Sequence, residues 1–212
     1  RSIMVNLTRA ARELFRRSPD ERLASFSALV EYCRQQMDEG TELWQPPGQL
    51  RTSVLDSERL VLSVGDQTHA MNDWSFSQLC RLAGVAKETI NRLSAHTASQ
   101  VFSETLPRGN KPLQLFHQER YLRSIHPASY TRLFNAQVLD VVGQYATDFQ
   151  PPPAGFNGAT GLYAGEQDMF AFLIDPDGWV EIAGEAYAPG FFVWNSEVGC
   201  RSVGVETFWY QA

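Results

Sequence analysis

Cysteine is scarce and unpatterned. Cys33, Cys80 and Cys200 are an odd, widely separated set with no C-x-x-C pair and no histidine at metal-ligand spacing, which excludes a disulfide framework or a sequence-readable zinc site. Such usage fits a reducing, cytoplasmic location. Long apolar runs are missing too. The longest, such as Met169 to Ile174, fall far short of the roughly 20 residues that span a bilayer. Arg9, Arg12, Arg16 and Arg17 near the N-terminus have no apolar segment of signal-peptide type after them, so neither a membrane partner nor secretion is expected. There is no P-loop, no G-x-G-x-x-G, no G-x-S-x-G and no internal repeat. No residue is therefore assigned a catalytic, cofactor-binding or metal-binding role by motif.

What is present is enough for a folded core. The 212 residues are 43% hydrophobic, sufficient for one large domain or two small ones. Eighteen basic against 24 acidic residues give a net charge of −6, which excludes a uniformly basic nucleic-acid coat but not a local basic face. The charge is unevenly spread. From Phe76 to Arg132 eight basic residues stand against three acidic, a net of +5; from Gln150 to Ala212 one basic stands against eight acidic, a net of −7. The central stretch is the phosphate-facing candidate, and Phe116 and Tyr121 lie among its charges, either as stacking rings or as core.

The hydrophobic pattern reads as helical first and strand-rich later. Leu7, Ala10, Ala11 and Leu14 form one stripe, and Ser18-Pro19-Asp20-Glu21 reads as the cap of a second helix carrying Leu23, Phe26, Val30, Cys33 and Met37. Gly40 to Gly48, with Pro46 and Pro47, reads as a connector, followed by a strand near Leu60 to Val64. A helix capped by Ser75 and Gln78 carries Phe76, Leu79 and Leu82. Gly84 interrupts it, and Ser94 caps a further helix from Ala95 to Leu106. A strand at Leu113 to Phe116 and a helix at Asn135 to Tyr145 follow. Gln150 to Gly155 is the best linker candidate. Beyond it, Met169 to Ile174 and Trp179 to Ile182 read as a hairpin about Asp175-Pro176-Asp177-Gly178, and Phe191 to Trp194 with Ser202 to Tyr210 as a second.

Gln78 to Leu93 has helix-turn-helix proportions. Docked on DNA, it would aim Lys87, Asn91 and Arg92 at bases or phosphates, although any helical hairpin with a glycine turn gives the same pattern. Arg108, Lys111, Arg120 and Arg123 complete the DNA-binding candidates. Asn195, Ser196, Glu197 and Arg201 form a polar hairpin, readable either as a site or as a turn with an ion pair. The Asp175/Asp177 and Glu166/Asp168 pairs lack the third carboxylate, lysine or histidine of a nuclease motif. His69, His96, His117 and His126 are scattered.

Several segments resemble one family: Asp20-Glu21-Arg22, Asp73-Trp74-Ser75-Phe76 leading to Gln78-Leu79-Cys80, Asn91-Arg92-Leu93 with Thr97-Ala98, and above all Asn195-Ser196-Glu197-Val198-Gly199. Together they look like the prokaryotic phage/plasmid-like proteins grouped as domain of unknown function 932, over nearly the whole chain. The resemblance implies a mobile-element setting and a further strand with a Cys-x-Asn element after this segment, so the chain reads as a fragment truncated at its C-terminal end; it implies no reaction and no cofactor.

The expected fold is α+β: a mainly helical region over 1–110 with the helix-turn-helix-like hairpin, then a mainly antiparallel sheet carrying one helix over 111–212, compatible with one shared core. The leading functional expectation is a non-enzymatic DNA-associated accessory factor, with strand form open. The alternatives are a protein-binding or anti-defence factor meeting host or mobile-element proteins through acidic residues such as Glu181 and Glu185, and a metal-dependent hydrolase or nuclease using Glu166, Asp168 or Asp175. Strand edges near the C-terminus leave homo-oligomerisation open.

Overall fold

A computed structural model describes residues 18–153 and 158–211. It has the expected α+β composition, with helices beside antiparallel and mixed sheets. Two compact units appear, and their division differs from the expected break near residue 110. Of the described residues, one unit takes those up to Met37 together with those from Leu133 onward; the other runs from Asp38 to Arg132. The stripe of Leu7, Ala10, Ala11 and Leu14 lies outside the described residues, as do Ala154 and Gly155 of the linker candidate.

In the discontinuous unit, Pro19–Glu21 is one turn of 3-10 helix, and α1 begins only at Phe26, running Phe26–Glu39. Ser18 caps nothing. Ser25 Oγ instead accepts the Ala28 amide at 3.1 Å, and Leu23 is drawn out of the helix by its N–H bond to Leu162 O at 2.9 Å. A helix at Asn135–Tyr145 matches its hydrophobic stripe, with Val138 and Leu139 buried.

The sheet of this unit is ordered β11-β10-β8-β7, from β7 (Leu162–Ala164), β8 (Met169–Ile174), β10 (Glu185–Asn195) and β11 (Gly204–Gln211), with β9 (Val180–Ile182) also pairing β10. The β10–β11 hairpin is as expected. The β8–β9 hairpin is not, because both strands pair with β10 instead. The turn between them is nonetheless tight, the Asp177 amide donating to Asp175 Oδ1 at 3.0 Å. Leu29 and Cys33 of α1 and Ala136 and Leu139 of the later helix pack on Leu162, Met169, Ala171 and Val193. Tyr163, Phe170, Phe172 and Phe192 form a separate aromatic cluster. The linker candidate is no free tether, since Gln150 and Ile174 exchange two backbone hydrogen bonds and Pro152 is buried.

The second unit carries more strand than the sequence suggests. Gly40 to Gln45, read as connector, is β1 (Gly40–Gln45), followed by β2 (Arg51–Leu55), β3 (Arg59–Val64) and β4 (Gln67–Met71). Helices α2 (Asp73–Ala83), α3 (Lys87–Ile90) and α4 (Ala95–Thr105) precede β5 (Leu113–Gln118) and β6 (Tyr121–Pro127); the helix Asn135–Tyr145 is α5. The six strands form one sheet, β1-β5-β6-β4-β3-β2. Its core joins Leu62, Leu115, Leu122 and Ile125 to Leu79, Cys80, Ala98 and Phe102 of α2 and α4.

Asn72, not Ser75, caps α2, its Oδ1 accepting the Ser75 amide at 2.8 Å. Gln78 is thereby free to reach the sheet, where its Oε1 accepts the Ile125 amide at 2.9 Å. Gly84 ends α2 at φ +68°, a left-handed position that favours glycine. The segment after it is a single four-residue turn, α3, so the expected helix-turn-helix has no recognition helix of useful length.

Candidate nucleic-acid interface

The seven DNA-binding candidates all lie in the second unit, in different surroundings. Arg123 is a correction: it is 7% exposed, with its guanidinium 5.3 Å from the Phe116 ring centroid, and Phe116 itself is fully buried. Charge counting placed Arg123 on a wet surface and left Phe116 as either a stacking ring or core; their strands turn both into the protein. Lys87 is tied by an ion pair to Asp73 at the start of α2, and the Arg92 Nε–H bonds Glu88 O at 3.2 Å. Asn91 is exposed beside a small cleft of about 210 Å3. Arg120 and Tyr121 are exposed where β5 turns into β6, Tyr121 at 60%.

Arg108 and Lys111 are exposed in the loop from α4 to β5, and Arg108 lines a cleft of about 480 Å3 with Arg51, Asn110, Ser103, Thr52 and the apolar walls Pro47, Phe102 and Leu106. The cleft exists because α4 is pinned to β2. Thr52 Oγ1 donates to Ser99 O at 3.2 Å, and Ser99 Oγ to Thr52 O at 3.0 Å. At Gly48 the two walls come close, and a Cβ there would reach van der Waals contact with Arg108 O at 3.4 Å. Arg51 Nη1 donates to Gly48 O at 2.7 Å and Leu50 O at 2.8 Å, which fixes one edge of its guanidinium and leaves Nε and Nη2 for a ligand. Among the described residues no carboxylate lines the cleft. Two guanidinium groups at one concave site, with hydroxyl and amide side chains beside them, suit a phosphate with an attached apolar or aromatic group. Arg51 carried no sequence signal. It lies 57 positions before Arg108, and only the packing of α4 on β2 brings them together.

The polar hairpin of the first unit is structural in three of its four members. Asn195, Ser196 and Glu197 are buried. Asn195 Nδ2 donates to Leu133 O at 2.8 Å and Asn135 Oδ1 at 2.9 Å, while Glu197 Oε2 accepts the Asn135 amide at 3.2 Å, placing a carboxylate at the start of α5. Ser196 Oγ donates to Gln167 O at 2.5 Å and accepts the Cys200 amide at 2.8 Å. Arg201 is the partly exposed member. It pairs with Asp168 at 2.7 Å, lies 5.0 Å from the Phe170 centroid, and borders a cleft of about 580 Å3 with Asp20, Glu21, Tyr32 and Glu166.

Burial, and then the nearby Asp168 charge, push the Cys200 thiol up, with Arg201 opposing, so Cys200 is a thiol rather than a thiolate at neutral pH. Among the described residues no three His, Cys, Asp or Glu side chains converge on a metal position, and no helix is long and apolar enough to cross a membrane. Glu181 and Glu185 are exposed on β9 and β10. No protein-family model matches the chain, and no curated protein and no solved structure was found to be similar to it.

Proposed function

We propose that the chain is a non-enzymatic nucleic-acid-associated accessory factor of a mobile element, and that it holds single-stranded DNA through the basic cleft of its second unit. The observation that carries this is that Arg51 and Arg108 line one cleft with no carboxylate among its described residues, in a chain whose net charge is −6. Lys111, exposed three residues after Arg108, adds a third cation, and Tyr121 beside Arg120 offers an exposed ring for stacking. Two features favour a single strand. A four-residue α3 cannot lie in a major groove as a recognition helix, and a concave cleft of this size admits an unstacked nucleotide but not a duplex. The mobile-element setting rests on the family resemblance alone.

Fluorescence anisotropy with a labelled single strand and the matching duplex, across a salt series, tests the reading. The single strand is expected to bind at about micromolar Kd in low salt, with log affinity falling linearly in log salt at a slope of about −2, corresponding to roughly three neutralised phosphates. No binding at low salt, or tighter binding of the duplex, would overturn it.

A further inference from the structure

The six-stranded sheet of the second unit is two antiparallel halves, β1-β5-β6 and β4-β3-β2, joined by one parallel pairing of β4 with β6. That seam is short. It pairs Ala70 with Tyr121 and Met71 with Leu122, and the Ala70 amide donates to Arg120 O at 2.7 Å. At its start, His69 of β4 and His117 of β5 meet with ring centroids 4.6 Å apart and planes tilted by 49°. His69 is 1% exposed, and neither ring nitrogen has a hydrogen-bond partner. His117 is 9% exposed, with Nδ1 3.3 Å from Glu119 O.

An unpartnered buried imidazole costs stability, and an apolar side chain would fill the same place without that cost. We infer that the His69–His117 pair is an acid-sensitive latch: with His69 neutral, the two rings plug the seam between the sheet halves; with His69 protonated, a buried charge without a hydrogen-bond acceptor draws in water, and β4 parts from β6.

Among the described residues the charged groups near the pair are exposed or engaged elsewhere: on the flanking strands, Glu42 of β1 pairs with Arg132 and Arg123 of β6 lies against Phe116. Leu62 stands opposite His69 and Thr41 opposite His117. Asp66 in the β3–β4 turn and Glu119 and Arg120 in the β5–β6 turn are exposed, and Glu39 at the end of α1 is engaged by Gln118 Nε2 at 2.5 Å. On the covering helices, Asp73 and Arg81 of α2 and His96 and Glu104 of α4 are exposed. Burial first, and the His117 charge second, hold His69 below the ordinary histidine value of 6.5. The unfolded chain therefore binds more protons than the folded one. Stability is full above about pH 6.5 and is lost as pH falls below it toward the folded value.

Amide exchange on the full chain at pH 7.5 and 5.5, corrected for intrinsic rates, tests the latch. The amides of β4 from Ala70 onward are expected to lose protection, by up to about tenfold, at pH 5.5 relative to those of β10 and β11, and His69→Phe, which cannot be protonated, abolishes the loss. Should His69→Phe not fold, His117→Gln, which removes the repelling charge, is expected to reduce it. Equal relative protection of β4 at both pH values, or an undiminished loss in every variant that folds, would overturn the inference.

Discussion

Arg132→Met is expected to lower the free energy of unfolding by about 3 kcal/mol, the range for breaking a buried charge network by removing one member. The Arg132 side chain is 2% exposed, and its three nitrogens are all engaged: Nε to Glu42 Oε1 at 2.6 Å, Nη1 to Ser124 Oγ at 3.3 Å and Nη2 to Gln114 Oε1 at 3.3 Å. The guanidinium also lies 4.1 Å from the Phe116 centroid and 5.4 Å from that of Tyr130. Methionine keeps most of the stem volume but strands the buried Gln114 oxygen and leaves the Glu42 carboxylate without its cation. Arg132→Lys recovers only part of the loss, because a point charge cannot reproduce a planar fork with three acceptors. Urea denaturation reads the difference directly, and a loss below about 1 kcal/mol for Arg132→Met would show that the network does not hold β1, β5 and β6 together.

Glu197→Ala is expected to cost about 2–3 kcal/mol. The carboxylate is 2% exposed and accepts the first amide of α5, so its removal leaves a buried donor unpaired at the positive end of the helix and opens a void behind it. Glu197→Gln keeps the acceptor and the volume and is expected to cost about half as much. A thermal melt separates the variants, and equal midpoints for wild type and Glu197→Ala would contradict the structural role given to this segment.

These two residues show where sequence reading succeeds and where it stops. Asn135 to Tyr145 and Ala95 to Thr105 were legible because each carries a 3.6-residue apolar stripe, and the latter also a true serine cap. β1 was not, because its glycine start and Pro46-Pro47 end imitate a connector while its pairing partner, β5, lies about 70 residues away. The β8–β9 hairpin failed for a related reason. The turn chemistry of Asp175 to Gly178 is real, but β10 satisfies both strands. The unit boundary at Leu133 carries no proline or glycine punctuation, whereas the proline tract at 151–153 falls inside a unit.

At the candidate site, charge arithmetic found Arg108 and Lys111 but could not tell them from Arg123 and Arg132, which the fold buries, and it could not associate Arg51 with any of them. The Asn195-Ser196-Glu197 segment is distinctive in sequence because it docks the β10–β11 turn onto α5, a packing constraint that reads like a functional motif.

The affinity of the double variant Arg51→Glu/Arg108→Glu for a labelled single strand of about twenty nucleotides, at low salt, is the most direct test of the basic cleft. Both side chains are at the protein surface, so the fold is expected to survive, which circular dichroism verifies. Two lost cation–phosphate contacts and the added repulsion predict a loss of about 100-fold or more, with Lys87→Glu/Arg92→Glu, in α3 and in the turn after it, changing affinity less than about threefold. Unchanged binding by the cleft variant, or a larger loss from the Lys87/Arg92 variant, would contradict the assignment of this cleft as the nucleic-acid site.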